Sequence, residues 1–124
     1  MLTHSKVVAF VGSIDLVRAQ AFYEGTLGLP IVEQSPFAVV ANAQGTELRI
    51  TQVPTISPAP YTVLGWTVDD IAAAIDALAG RGVSFSRFDG MDQDERGIWR
   101  APGGAQVAWF TDPDGNVLSL TQPA

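Results

Sequence analysis

The chain has 124 residues, the length of one small domain, and folding such a chain removes roughly two-thirds of its unfolded surface from water. Its 47% hydrophobic and 16% charged content excludes the disordered class, and its net charge of −6, with no cluster of Lys or Arg, argues against a nucleic-acid partner. Without cysteine there is no disulfide, no thiolate metal ligand and no Cys nucleophile.

The start, Met1 to Lys6, leads directly into an apolar run, so no targeting signal is expected. No window approaches the ~20 apolar residues that a membrane span needs, and a cytoplasmic location away from membranes is expected. Lys6 to Val11 is apolar and β-branched and reads as a strand buried on both faces. Asp15 occupies a helix N-cap position, with Leu16, Ala19, Tyr23 and Leu27 returning at helical spacing until Gly28 and Pro30 stop a helix of about three turns. Strands follow over Pro30 to Glu33 and Phe37 to Asn42, and Ala43-Gln44-Gly45 turns into a strand from Glu47 to Gln52.

Residues 54–60 are rich in Pro, which fixes φ and removes backbone donors, and they read as a linker. Tyr61 to Val68 is the next strand. Asp69 or Asp70 then caps a helix whose Ile71, Ala74, Ile75 and Leu78 form an apolar stripe, and Gly80-Arg81-Gly82 ends it. Val83 to Phe88, Gly97 to Ala101, Ala105 to Thr111 and Asn116 to Thr121 read as strands, with turns at Pro102-Gly103-Gly104 and at Asp112 to Gly115.

The halves superpose as sequences. Val8 matches Val63 and Asp15 matches Asp70, both 55 residues apart, while Gly45 to Gln52 matches Gly115 to Gln122 at a spacing of 70. A duplicated βαβββ unit accounts for this, with module 1 about 5–53 and module 2 about 61–123 in a single domain. Each unit would cover one sheet face with its helix and leave the other to its twin or to a ligand, so the α+β fold expected is two paired modules forming a curved mixed sheet with a cleft.

Asp15-Leu16, the run Phe22-Tyr23-Glu24-Gly25-Thr26-Leu27-Gly28-Leu29, Val68-Asp69-Asp70 and Asp112 to Asn116, in that order, resemble the vicinal-oxygen-chelate superfamily of glyoxalases, bleomycin resistance proteins and dioxygenases. Metal-using members carry a His, Gln or Glu on the first and last strand of each module. The resemblance maps those positions onto Val8, Arg49, Val63 and Ser119, none of which suits a cation: two valines have no lone pair, a serine is a weak neutral donor, and Arg49 is itself positive. No metal or other cofactor is therefore expected. His4 reads as a tail residue, and a displaced site at Asp92, Asp94 and Glu95 is weaker than the plain reading of a solvated loop.

Alternation puts Glu47, Arg49 and Thr51 on one face of their strand and Leu48 and Ile50 on the other. Arg49 would either bind a carboxylate, phosphate or phenolate by two hydrogen bonds or pair internally with Glu47 or another acid. Phe10, Phe37, Tyr61, Trp66, Trp99, Trp109 and Phe110 are candidates for an aromatic cleft or for plain core, with Trp109 and Phe110 facing opposite ways. Gly90 to Trp99 is either a flap carrying Gln93, Asp94 and Trp99, with Asp94 a candidate general base, or an ordinary loop.

The functional expectation is a homodimer that binds a small aromatic or anionic molecule through Val8, Phe10, Arg49, Val63, Gln93, Asp94, Trp99 and Ser119. A metal-dependent lyase, isomerase or dioxygenase with a displaced site, and a non-catalytic partner subunit, are the alternatives.

Overall fold

A computed structural model describes residues 1–124 and consists of two units, Met1–Pro58 and Ala59–Ala124, which meet within the Pro-rich segment. The first contains β1 (Val8–Ser13), α1 (Leu16–Gln20) with a π-helical continuation (Ala21–Thr26), β2 (Ile31–Gln34), β3 (Ala38–Ala43) and β4 (Thr46–Gln52). The second contains β5 (Leu64–Thr67), α2 (Ile71–Ala79), β6 (Trp99–Arg100), β7 (Gln106–Thr111) and β8 (Val117–Gln122). Each forms a four-stranded mixed sheet, ordered β1-β4-β3-β2 and β5-β8-β7-β6, in which only the outer pairs β1–β4 and β5–β8 are parallel. Both are βαβββ modules of one topology.

The duplication extends to individual hydrogen bonds. Asp15 and Asp70 stand in extended conformation before their helices, at φ −146°, ψ 95° and φ −136°, ψ 96°. Each carboxylate accepts at 3.1 Å from the amide three residues on, Arg18 in one unit and Ala73 in the other, which satisfies a helix donor that has no partner within the helix. Two glutamines separated by the same 70 residues tie these helix starts to the last strands. Gln122 Oε1 accepts from Ile71 N at 2.9 Å, and Gln52 Nε2 donates to Ile14 O at 3.1 Å. The parallel registers coincide as well, since Phe10 lies opposite Arg49 and Gly65 opposite Ser119.

Packing follows strand alternation. In the first unit Leu48 and Ile50 are fully buried beside Val11, Val39 and Ala41, with Ala19 and Tyr23 of the helical segment buried too. In the second, Ala108, Phe110, Leu118 and Leu120 are buried with Ile71 and Ile75 of α2, and the Phe85 ring packs on Phe110 at 5.3 Å. Removing a side chain such as Phe110 or Leu48 from water contributes roughly 1.5–3 kcal/mol. Gln44 and Gly45 both take positive φ, 52° and 88°, as the two-residue turn between β3 and β4 requires, and the Asn42 carboxamide accepts from Gly45 N at 2.8 Å.

Three elements differ from the sequence expectation. β1 is not buried on both faces: Val8 is 40% and Phe10 63% exposed, because α1 covers only the other side of the sheet. The first helix has the expected length but changes pitch, with Leu27 N bonding Phe22 O five residues back; Leu29 N then bonds Tyr23 O and Gly28 turns the chain at φ 76°. Val83 to Phe88 is not a strand. β6 already holds one end of the β7 edge, through Trp99 opposite Val107, and Ser86 N donates to Trp109 O at 2.7 Å without extending into a paired strand.

Candidate functional site

On the face of the second sheet away from α2, three residues lie in one row across three strands: Gly65 on β5, Ser119 on β8 and Trp109 on β7. Gly65 carries no side chain, and a Cβ built there would stand 2.9 Å from Ser119 Oγ, closer than such atoms approach. The β5 side of the row is therefore low, with the Ser119 hydroxyl at its floor. The β7 side is high. The Trp109 ring meets Trp99 at 6.1 Å with 39° between planes, and Phe88 edge-on at 5.5 Å and 90°. Trp99 and Trp109 are half-buried and Phe88 is exposed, so the aromatic wall keeps accessible surface. A low polar floor beside a rigid aromatic wall suits a flat molecule with one hydrogen-bonding edge.

The Gln93 carboxamide and one carboxylate oxygen of Asp94 are engaged within their own loop. The Gln93 amide bonds three backbone groups, of Ser86, Phe88 and Gly97. Asp94 Oδ1 accepts from Arg96 N and Ile98 N, both at 2.9 Å, which shapes the turn before β6. Their geometry is that of a loop scaffold. Val63 precedes β5, held by Val63 N to Val117 O at 2.9 Å, and is 41% exposed.

In the first unit the corresponding row is Phe10, Arg49 and Val40. Arg49 pairs within the unit: Nη1 donates to Glu47 Oε2 at 3.1 Å, and Nη2 lies 4.0 Å from Glu33 Oε2. Glu47 and Glu33 offset the charge of the guanidinium, and its Nη1 is already engaged by Glu47. Val8 and Glu47 also line a groove with Lys6, Val7, Val32 and Asn42, mixed polar and aliphatic in its walls and without an aromatic ring.

The side chains at the four positions that the resemblance assigns to a metal do not suit one. Val8 and Val63 offer carbon, Arg49 a cation and Ser119 a neutral hydroxyl, and no group of three or more His, Cys, Asp or Glu side chains is placed to hold an ion. The sequence reading missed Phe88 and Gly65. Phe88 stood at the end of an expected strand, while Gly65 was discoverable as the position 55 residues beyond Phe10, where the repeat loses its ring.

Residues 6–120 match the family model described as the Glyoxalase/Bleomycin resistance protein/Dioxygenase superfamily. Among solved structures the chain is similar to TnmS3, an antibiotic binding protein from Streptomyces sp. CB03234, with TM-score 0.68 and 27% identity over 98% of this chain and 99% of that one. It is also similar to a glyoxalase/bleomycin resistance protein/dioxygenase from Alicyclobacillus acidocaldarius, with TM-score 0.72 and 18% identity over 97% and 92% of the two chains. The fosfomycin resistance protein FosX from Listeria monocytogenes gives TM-score 0.75 and 12% identity over 95% and 92%. The last two likenesses establish the fold alone. No curated protein matches the chain significantly. No helix is long and apolar enough to cross a membrane.

The segment carrying Gln93 and Trp99 is tied to α2 by Arg96, whose Nε and Nη2 donate to Asp76 Oδ1 and Oδ2, both at 3.0 Å. Arg96, first by hydrogen bonding and then by charge, holds the Asp76 carboxyl below its ordinary value. A lowered folded-state pKa means stability that is present above the unfolded pKa and lost as pH falls through the folded one. Arg96→Gln is therefore less stable than the parent at neutral pH, by the small amount typical of an exposed pair. The difference begins to shrink as pH falls below the ordinary carboxylate value of about 3.9 and is gone once pH has passed below the lowered folded-state value, as urea titrations at a series of pH values would report; a gap that persists in stronger acid contradicts the pairing.

Proposed function

The chain belongs to the Glyoxalase/Bleomycin resistance protein/Dioxygenase superfamily, and we propose that it binds a small, flat aromatic molecule, without a metal ion, on the sheet face formed by Gly65, Ser119, Trp109, Trp99 and Phe88. One observation carries this reading: an accessible aromatic wall stands beside a strand position stripped of its side chain, over a hydroxyl. Ring stacking adds roughly 0.5–1.5 kcal/mol per aromatic pair beyond the area buried, and Trp and Phe lose little rotamer freedom in the process. The resemblance to an antibiotic binding protein at 27% identity supports a role in holding a small molecule. The absence of side chains suited to the family's metal supports binding over metal-dependent chemistry.

A second reading has one specific observation behind it. Arg49 is held by an exposed ion pair, an interaction worth only about 0.2–1 kcal/mol, so an anionic ligand can replace Glu47 at small cost. The homodimer belongs to the same account, because Phe10 and Val8 leave apolar surface in the first unit for a second copy to cover.

The test is titration of tryptophan fluorescence with 1-naphthol and with naphthalene-2-sulfonate, before and after treatment with a metal chelator. Saturable quenching by 1-naphthol that survives chelation is expected, weakened roughly tenfold in Trp109→Ala and in Gly65→Ala by loss of a ring contact or blockage of the floor. Binding confined to the sulfonate and abolished in Arg49→Ala favours the second reading. No response to either compound, or a response only after adding a divalent metal, contradicts both. Light scattering that finds a monomer contradicts the dimer.

A further inference from the structure

We propose that Gln93 is a positioning residue that sets the geometry of the aromatic wall by taking the place of a missing strand. Between Ser86–Phe88 and Gly97 there is no run of paired backbone, and the Gln93 carboxamide lies between them. Its Oε1 accepts from Phe88 N at 2.8 Å, and its Nε2 donates to Ser86 O at 3.0 Å and to Gly97 O at 2.8 Å. Accepting from one residue while donating to the carbonyl two positions earlier is what a residue of a neighbouring parallel strand does. The third bond ties the same group to the chain leading into β6, and the Gln93 backbone forms a bridge to Trp99.

The orientation of this amide is determined by its partners. Both N–H groups meet carbonyls and the oxygen meets an N–H; reversed, the oxygen would face two carbonyls and the NH2 group an N–H. Glutamate keeps an acceptor for Phe88 N but sets its other oxygen against two carbonyls, and methionine fills the space with no bond at all. Only the carboxamide satisfies the three groups at once.

The consequence falls on the wall. Phe88, whose amide Gln93 holds, places its ring edge-on against Trp109, and Trp99, bridged to Gln93, places its ring on Trp109 at 6.1 Å. Gln93 thus reaches both neighbours of Trp109, Phe88 through its side chain and Trp99 through its backbone bridge and the side-chain bond to Gly97 O two residues earlier. This inference rests on the binding reading above for its functional meaning, but the geometry it asserts exists in the ligand-free protein and can be measured there.

The experiment compares Gln93→Met and Gln93→Glu with the parent by near-ultraviolet circular dichroism, amide hydrogen exchange and 1-naphthol titration. The coupled Trp99–Trp109 signal is expected to collapse in both variants while unfolding in urea stays cooperative. In Gln93→Met the Phe88 amide is expected to exchange about tenfold faster, with β7 and β8 amides unchanged. Affinity for 1-naphthol falls roughly tenfold, the factor that a misplaced ring contact of ~1.4 kcal/mol gives. Unchanged dichroism and unchanged Phe88 exchange overturn the proposal, as does loss of cooperative unfolding in both variants, which would make Gln93 a residue of the fold and not of the wall. If 1-naphthol fails to bind the parent, the binding reading fails by itself, and the positioning role is decided by the two ligand-free measurements.

Discussion

A sheet has two faces, and each unit of this chain has a single helical segment with which to cover them. The Asp15 and Asp70 caps and the Gln52 and Gln122 ties fix that segment at the end of the first strand, so it packs on one side only. Leu48, Ile50, Phe110 and Leu118 disappear beneath it. What the other face carries is then free to differ between the units, since no packing against the helix constrains it.

That freedom has been used in opposite ways. In the first unit the row reads Phe10, Arg49, Val40, with a ring on the outer strand and a charge at the centre neutralised by Glu47 and Glu33. In the second it reads Gly65, Ser119, Trp109, with the ring moved to β7, the outer strand bare and the centre a hydroxyl. The longer insert of the second repeat brings Phe88 and Trp99 to the same ring. An identical backbone plan therefore supports an ion-paired surface in one unit and an aromatic surface in the other.

The parts of this plan written in local chemistry were legible in the sequence. Asp at the N-cap, Gly45 in the hairpin turn and the alternation of Leu48, Arg49 and Ile50 each follow from a rule about one or two residues. The resemblance named the family over nearly the whole chain. What was not legible depended on which groups compete for a partner. Val83 to Phe88 alternates like a strand, yet β6 occupies part of the β7 edge and the Gln93 side chain satisfies the backbone groups of Ser86 and Phe88 that a strand would have used. Lys6 to Val11 is a continuous apolar run, the pattern of a strand buried on both faces, and nothing within the run reveals that one face is left without a helix. Arg49 was open to two readings, and only the distance to Glu47 brings out the internal pair.

The three tryptophans offer the sharpest check on the account, because the strand register divides them. Trp66 stands in the row of Leu120 and Ala108, on the face that α2 covers, while Trp109 stands in the opposite row with Trp99 against it. The measurement is the set of three indole N–H resonances during titration with 1-naphthol. The account predicts that the Trp99 and Trp109 signals move together and saturate while Trp66 stays in place. A titration that shifts Trp66 alone, or all three equally, would show that the aromatic face of the second sheet is not where the molecule binds.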